Sequence, residues 1–392
     1  MQFKISSLEQ AYSKYSSQIT DLEHRALVAS FGYSVDRVKS YIQGFGQQNA
    51  INVQVCMIFE ADKLLGLFPF RSAKINKLVP FKIYENWTDD YNYIGDPLLD
   101  KTQLVPVLEF FFNWLSKHNI FFIFNCITNE KIKQHLQKHA QNQQNNCELI
   151  SEFESAMIES DLSSDEYYKK ALTGNRRSKI KKSKRYLADQ GTYEFKVLDS
   201  IANKISMEDQ INWANTFVEI EDAGWKGKKG TSFASDENAT VYFHESIKRW
   251  FADGKLLTSE LLLNNKTIAS LYLIIEKTGN ITIARCHKTT YREQYGKGSP
   301  GMLSLHHLMK YSLDNHNFEI IDACTTPDNI IANALMKEKQ TTSSYIISSG
   351  NAFNQKIFTF IRFLELSRIN SRQYIKTIVL NLISHKKLNG SK

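Results

Sequence analysis

The feature that most constrains this chain is a repeated order of elements. Hydrophobic periodicity and turn residues along the 392 residues predict helices, antiparallel strands, a turn at a helix start, a helix, a strand, a helix and a strand, twice over. In the first round, 6–45 reads as helical and 53–60 with 64–72 as a hairpin around Ala61-Asp62-Lys63. Then 91–94 reads as a short strand, 102–118 as a helix started by Thr102, 119–126 as a buried strand, 132–140 as a helix and 148–159 as a strand. In the second round, 193–198 reads as a strand and 206–222 and 239–252 as helices. Three antiparallel strands follow at 256–263, 266–276 and 280–287, with a turn at Asn264-Asn265. A helix to about 315, a strand at 318–323, a helix at 330–339 and a strand at 342–348 complete it. Strands before and after a connecting helix run parallel, so the predicted class is α/β (α+β) with a mixed sheet and two like halves in tandem. The repeat is one of order and not of residue identity. The boundaries read as a first half at 1–160, a basic connecting helix at 161–190, a second half at 191–350 and a basic amphipathic helical tail at 351–392.

Charge is unevenly placed. Lys and Arg number 49 against 41 Asp and Glu, a formal +8. Residues 351–392 hold eight Lys/Arg and one acid, Glu365, so the rest of the chain is close to neutral. Between Phe353 and Lys387 apolar residues recur at helical spacing among the basic ones. This tail reads either as a helix docking on an anionic surface, a membrane or a partner, or as one packing on the chain's own body. A second cluster puts nine Lys/Arg between Lys169 and Arg185 with no acid among them. It reads either as a phosphate- or nucleic-acid-binding helix or as a solvated helix whose acidic neighbours come from elsewhere. No stacked-aromatic RNA-binding motif accompanies it, so sequence-specific nucleic-acid recognition is not expected. The cysteines, Cys56, Cys126, Cys147, Cys286 and Cys324, form no CxxC pair, which fits a reducing compartment and no zinc site. Without an apolar N-terminal segment or a run near the ~18 residues of a membrane span, the expected location is cytoplasmic, with peripheral contact at the inner membrane surface through the tail.

Three stretches carry chemistry. In Glu221-Asp-Ala-Gly-Trp-Lys-Gly-Lys-Lys-Gly230, three glycines surround Trp225, a flat contact flanked by Lys226, Lys228 and Lys229. Glu221 stands at a helix C-terminus, against the negative end of the dipole. It reads either as a proton acceptor or as one half of an ion pair with Lys226 or Lys228 that holds the loop. Tyr295-Gly-Lys-Gly-Ser-Pro-Gly301 joins a strand to a helix. Gly296 and Gly298 free the backbone, Pro300 suits the first helical position, and a helix start beside Lys297 can hold a diphosphate or be only a tight connection. In Ile320-Ile-Asp-Ala-Cys-Thr-Thr-Pro-Asp-Asn329, Asp322 ends a strand at the sheet edge where α/β ligands collect, and Asp328 can cap the next helix. His135 with His139, and His306 with His307, read as helix-face residues, so no metal is expected. Neither a Gly-x-Ser-x-Gly elbow nor a Walker loop occurs.

These residues share the order and spacing of a known group. Arg176 to Leu187 with Gly191, Glu221 with Gly224-Trp-Lys-Gly227, Ser299-Pro-Gly301 and Ile321 to Asp328 resemble bacterial GNAT-type acyltransferases of the CelD type, associated with cellulose and exopolysaccharide biosynthesis. That group is similar to Fem-type aminoacyl transferases with two GNAT-like halves. The resemblance implies a GNAT fold, acetyl-CoA or another acyl-CoA as donor, and a CoA diphosphate held by Gly296, Lys297, Gly298, Ser299, Pro300 and Gly301. The chain departs from the pattern at Glu293, where Gln or Arg is usual, and at His287-Lys288, where the group often has Tyr-Asp. The implied reaction is N-acylation, which needs a base, oxyanion donors and an acid for the thiolate. Glu221 and Asp322 are the candidate bases, and Tyr291 and Tyr295 the candidate acids. Trp225, Lys226, Arg285 and His287 are expected to contact the acceptor, a small-molecule amine or saccharide precursor. Two alternatives stand beside this: a non-catalytic GNAT-fold component of polysaccharide assembly, and a Fem-like transferase using aminoacyl-tRNA, which the basic helix permits.

Overall fold

The computed structural model describes residues 1–28, 30–46, 52–73, 83–140, 145–202, 205–279, 281–316, 318–349 and 356–368. The first half contains β1 (Gln2–Ser7), α1 (Leu8–Lys14), α2 (Ser16–Arg25), α3 (Val35–Phe45), β2 (Gln54–Glu60), β3 (Lys63–Ser72), β4 (Ile83–Asn86), β5 (Leu98–Leu99), α4 (Leu104–Lys117), β6 (Phe121–Ile127), α5 (Glu130–Ala140) and β7 (Asn145–Ile158). Two connecting helices follow, α6 (Ser164–Ala171) and α7 (Gly174–Ala188). The second half runs β8 (Tyr193–Asp199), α8 (Met207–Ala223), α9 (Trp225–Lys228), α10 (Glu237–Ala252), β9 (Leu256–Leu263), β10 (Lys266–Thr278), β11 (Ile281–Tyr291), α11 (Pro300–Asn315), β12 (Ile320–Asp322), α12 (Ala332–Leu335) and β13 (Glu338–Ser349). Both halves thus follow one plan.

All strands join one mixed sheet in the order β1-β2-β3-β4-β6-β13-β7-β12-β11-β10-β9-β8, with β5 beside β3. The parallel pairs are β4 with β6 and β11 with β12, as helix crossovers require. The last strands of the halves are exchanged. β13, from the end of the second half, pairs antiparallel with β6 of the first, and β7, from the end of the first, pairs antiparallel with β12 of the second. β7 and β13 then pair with each other from Asn145 opposite Ser349 to Met157 opposite Glu338. The likeness reaches individual residues. Ile123-Phe-Asn-Cys-Ile-Thr128 and Ile321-Asp-Ala-Cys-Thr-Thr326 close β6 and β12, and Cys126 and Cys324 both have left-handed backbone, at φ 56° and 49°.

Several expected elements differ. Residues 2–7 form a strand on β2, and the stretch expected to be helical is broken between Ala26 and Ser34. The expected strand at 91–94 is a loop; the partner of β6 is β4, and Tyr91 lies in a turn closed by the Asp89–Asn92 bridge. Thr102 does not cap α4, because its hydroxyl donates to Asp100 and the cap position is Gln103. The helix expected at 330–339 shrinks to α12, because β13 already starts at Glu338. Asn329, not Asp328, accepts the N–H groups of Ile331 and Ala332. By contrast, Asn264 and Asn265 take φ of 50° and 61°, as a tight hairpin turn demands.

One core lies under α11 on one face of the second half, built from Leu271, Leu273, Ala284, Leu303 and Leu308 among others. On the other face, α8 and α10 cover Trp213, Phe217, Phe243, Trp250 and Tyr272, and Phe31 and Ile94 of the first half enter the same cluster. The halves are therefore joined by a continuous aromatic core as well as by the sheet. Residues 356–368 form a helix whose Phe358 and Ile361 are buried against Ile83, Phe121, Ile123 and Ile346. Over these residues the tail packs on the chain's own body, leaving Phe360 and Phe363 51% and 64% exposed. The rest of the expected tail, 351–355 and 369–392, lies outside the described residues. Among those, no helix is long and apolar enough to cross a membrane.

Candidate active site

The site forms where β11 and β12 part. Their parallel pairing runs only from Ile283–Ile320 to Arg285–Asp322, while β11 continues to Tyr291. In that continuation the register with β10 slips, so that Leu273 faces Cys286 and Tyr272 faces Lys288. His287 is the extra residue of this bulge, which bends the strand and re-aims its side chains. Beyond Tyr291 a two-turn 3-10 helix, Glu293–Gly298, leads into α11. Ser299 stands at φ 48° and ψ 52°, and Pro300 occupies the first helical position, which needs no N–H partner. The N–H of Gly301 belongs to the first turn, where i−4 acceptors are lacking. A Cβ at Gly301 would lie 3.5 Å from Thr289 and Tyr291, and at Gly296 it would meet open space. At Gly298 it would come within 2.9 Å of Leu187 and Tyr186, so α7 lies directly against this turn. Lys297 is exposed, and Tyr295 packs at the edge of the core. Glu293, the departure from the usual pattern, accepts a 2.6 Å ion pair from Lys228 that ties α9 to the turn.

In the first half, Asp100 stands just ahead of the corresponding helix start. Asp100 accepts from the N–H and hydroxyl of Thr102, and Arg25 and Lys63 pair with it. Burial opposes its ionisation, but these partners outweigh that and hold its carboxyl down at about 2.

On the opposite side of the sheet, Glu221 ends up 1% exposed at the end of α8. Its Oε1 takes a 2.7 Å ion pair from Lys226 and faces Lys288 at 3.6 Å, and its Oε2 accepts the N–H of Phe233 at 2.9 Å. The loop-holding ion pair is thus present, and Lys288 joins it. Gly227 is required here, since a Cβ would sit 1.8 Å from the Asp222 carbonyl oxygen. The close approach expected of this loop is therefore made to the end of α8. Trp225 remains 47% exposed, with the Lys229 amine 5.1 Å from its ring. The Lys288 amine lies 3.6 Å from the ring centre of Phe233 and 5.5 Å from that of Tyr91. Burial lowers its pKa to about 8; Glu221 opposes the shift and Lys226 adds to it.

Asp322 and Arg285 face inward. Arg285, expected to touch the acceptor, is 1% exposed and is bound by Glu276 and by Asp322 at 2.7 Å. Asp322 also accepts the N–H of Cys324 at 2.8 Å, and Glu276 accepts the N–H of Phe31. This buried triad ties β10, β11 and β12 to the first half. His287 sits in an aromatic box of Phe31, Tyr93, Trp250 and Tyr272, with Nδ1 3.2 Å from the Tyr272 hydroxyl. Burial, then the charge of Lys288, hold it neutral with a pKa near 3. A small, mostly apolar cavity of about 150 Å³ lies beyond Tyr93, between Ile94, Thr128, Phe153, Asp322, Cys324 and Thr342.

The structure therefore brings Glu221, Lys226 and His287 to one face of β11, and Tyr291 with Gly301 to the other. Sequence reading missed Lys288, Phe233, Tyr91 and Glu276. Lys288 stood out only as a departure from the family pattern, and a half-buried lysine has no local signature. The four histidines read as helix-face residues pack: His135 meets Glu109, His139 lies on Phe112, His306 on Tyr168, and His307 stacks on Phe195. Among the described residues no three His, Cys, Asp or Glu side chains come together as a metal site would need.

Comparison with known proteins fits this geometry. Residues 174–329 match the family described as Acetyltransferase (GNAT) domain. These residues form a GNAT acetyltransferase domain, the domain of an enzyme, on a GNAT-type mixed sheet. No curated protein matches the chain in sequence. Among solved structures, a conserved protein of unknown function from Bacteroides thetaiotaomicron is 11% identical, over 88% of this chain and 99% of that one, with a TM-score of 0.50. The C-terminal DUF2156 domain assigned to a lysylphosphatidylglycerol synthetase of Agrobacterium fabrum is 12% identical, over 89% and 95%, also at 0.50. A tandem GNAT protein from the clavulanic acid biosynthesis pathway is 11% identical, over 89% and 98%, at 0.42.

Proposed function

We propose that the protein is an acyl-CoA-dependent N-acyltransferase that acylates the amine of a small molecule, saccharide precursors included. The open start of α11, beside a strand edge of β11 left unpaired by β12, carries this reading. The first turn offers the Gly301 N–H, while those of Met302 and Leu303 already donate to the Ser299 carbonyl, and it presents the positive end of a 16-residue helix to a diphosphate, with Lys297 adjacent. The free edge of β11 can pair with an extended amide-bearing arm. Acyl-CoA, when bound, supplies the thioester carbon. Trp225 gives the acceptor a flat exposed contact of the kind a sugar ring takes. A saccharide acceptor also agrees with the CelD-like motifs. Consumption of acetyl-CoA against a panel of amines, followed by thiol release, tests the reading, and no release with any amine would count against it.

In this reading the acceptor nitrogen forms the new C–N bond while the C–S bond breaks. Its surplus proton goes to Lys288, whose amine is the titrating group that the site leaves turned toward its aromatic wall. Both oxygens of Glu221 are engaged, so Glu221 acts as the positioning residue that holds Lys288. Tyr291, beside Gly301, is the group proposed to return a proton to the thiolate.

The pH dependence follows from the sign of the Lys288 shift. With a pKa of about 8, about a tenth of the amine is neutral at pH 7 and most of it at pH 9. Turnover rises roughly tenfold over that interval, with an acceptor amine that is itself neutral throughout. Lys288→Met flattens the rise and lowers the plateau by roughly 10²-fold. Glu221→Gln removes the charge that raises the Lys288 pKa, so the rise moves to lower pH. Loss of the rise in Glu221→Gln, with its retention in Lys288→Met, would return the role of base to Glu221.

A further inference from the structure

Helix α7 carries seven Lys and Arg side chains between Arg176 and Arg185 and no acid. None of them pairs with a carboxylate among the described residues. The Arg177 guanidinium, for example, meets only the carbonyls of Lys169 and Leu172. Like charges at i, i+4, such as Arg177, Lys181 and Arg185, weaken a helix, and only Ile180, Ser183 and Leu187 anchor this one inward. The cost is met at a particular place. The last turns of α7 press Tyr186 and Leu187 against Gly298, in the turn that opens α11. Lys179, Lys182 and Tyr186 follow one another at i, i+3 and i+7, so they form one stripe that leads away from that turn. Both lysines are exposed.

We propose that this stripe binds the 3′-phosphate of the donor nucleotide, with Lys179 and Lys182 as its ligands. The inference rests on the acyl-CoA reading and extends it. CoA continues past its diphosphate into a ribose bearing a third phosphate. A ligand whose diphosphate lies at Gly301 carries that group out over the turn against which α7 packs. Two exposed lysines on one stripe suit a phosphate approached from solvent, as point charges without a fixed fork.

Calorimetric titration of the full chain with CoA and with dephospho-CoA, which lacks only the 3′-phosphate, tests this. The parent protein should prefer CoA by roughly tenfold or more, and salt should erode the preference. The Lys179→Gln/Lys182→Gln double variant should bind both ligands alike, at the parent's dephospho-CoA affinity. Equal affinities in the parent, or a preference that survives in the variant, would overturn the inference and leave the acyl-CoA reading standing. Failure of the parent to bind either ligand would overturn both. Binding of bulk tRNA or of phosphatidylglycerol vesicles that the double substitution abolishes, with the CoA preference intact, would assign the stripe to a macromolecular polyanion and overturn the inference.

Discussion

Replacing Gly301 by Glu should weaken CoA binding by at least roughly 100-fold while leaving the protein folded. The position tolerates a side chain, since a Cβ would make ordinary contact with Thr289 and Tyr291 at 3.5 Å. A carboxylate in the first turn also interacts favourably with the helix dipole, so α11 should lose no stability. What changes is the occupant of the anion site, because the new carboxylate takes the place offered to a diphosphate. Gly301→Ala separates bulk from charge and should bind CoA nearly as the parent does. Calorimetry on the two variants decides, and a Gly301→Glu protein with parental affinity would move the donor site elsewhere.

The second large effect is expected at Arg285. Arg285→Met fills a similar volume but leaves Glu276 and Asp322 buried without their shared cation. Breaking a buried ionic cluster in this way costs roughly 3–5 kcal/mol. Burial already raises the Glu276 pKa, and Arg285 is what opposes that rise. In the variant the carboxyl's folded pKa lies further above its unfolded value. Such a group favours the folded state below its unfolded pKa and works against it as pH rises through the folded one. The loss should therefore be largest near pH 8 and shrink toward pH 5. Denaturant midpoints of parent and variant at both pH values measure it, and an equal loss at both would mean that Arg285 acts through packing alone.

Local chemistry explains which parts of the site were legible in sequence. Ser299-Pro-Gly301 announces a helix start because Pro300 is fixed near a helical φ and lacks the N–H that a first turn leaves unpaired. Gly227 signals a close approach because a side chain there would strike the Asp222 carbonyl. The hairpin of β9 and β10 follows from Asn264-Asn265 for the same reason. The buried triad is different in kind. Glu276, Arg285 and Asp322 stand on three strands, and nothing near any of them in sequence distinguishes a paired interior charge from a solvated one. Arg285 accordingly read as a ligand contact. Lys288 is similar, since its pKa is lowered by burial and then by Lys226, and its neighbours Phe233 and Tyr91 stand on separate elements. The exchange of β7 and β13 was invisible because an alternating strand reads the same beside either neighbour, and only the order of the halves could be read.

That exchange has a consequence for how the protein is made. β6, rich in phenylalanine, is completed on one edge by β13, more than two hundred residues later in the chain. At about 5–20 residues per second of synthesis, the first half waits on the order of tens of seconds on the ribosome with that edge of β6 uncovered. During this interval Phe122 and Phe124 lack the strand that borders them in the finished sheet, a situation that favours pairing with other chains. Release of the nascent chain just short of Glu338 should thus yield a species captured by chaperones or lost to aggregation, although every residue of the first half has already been made.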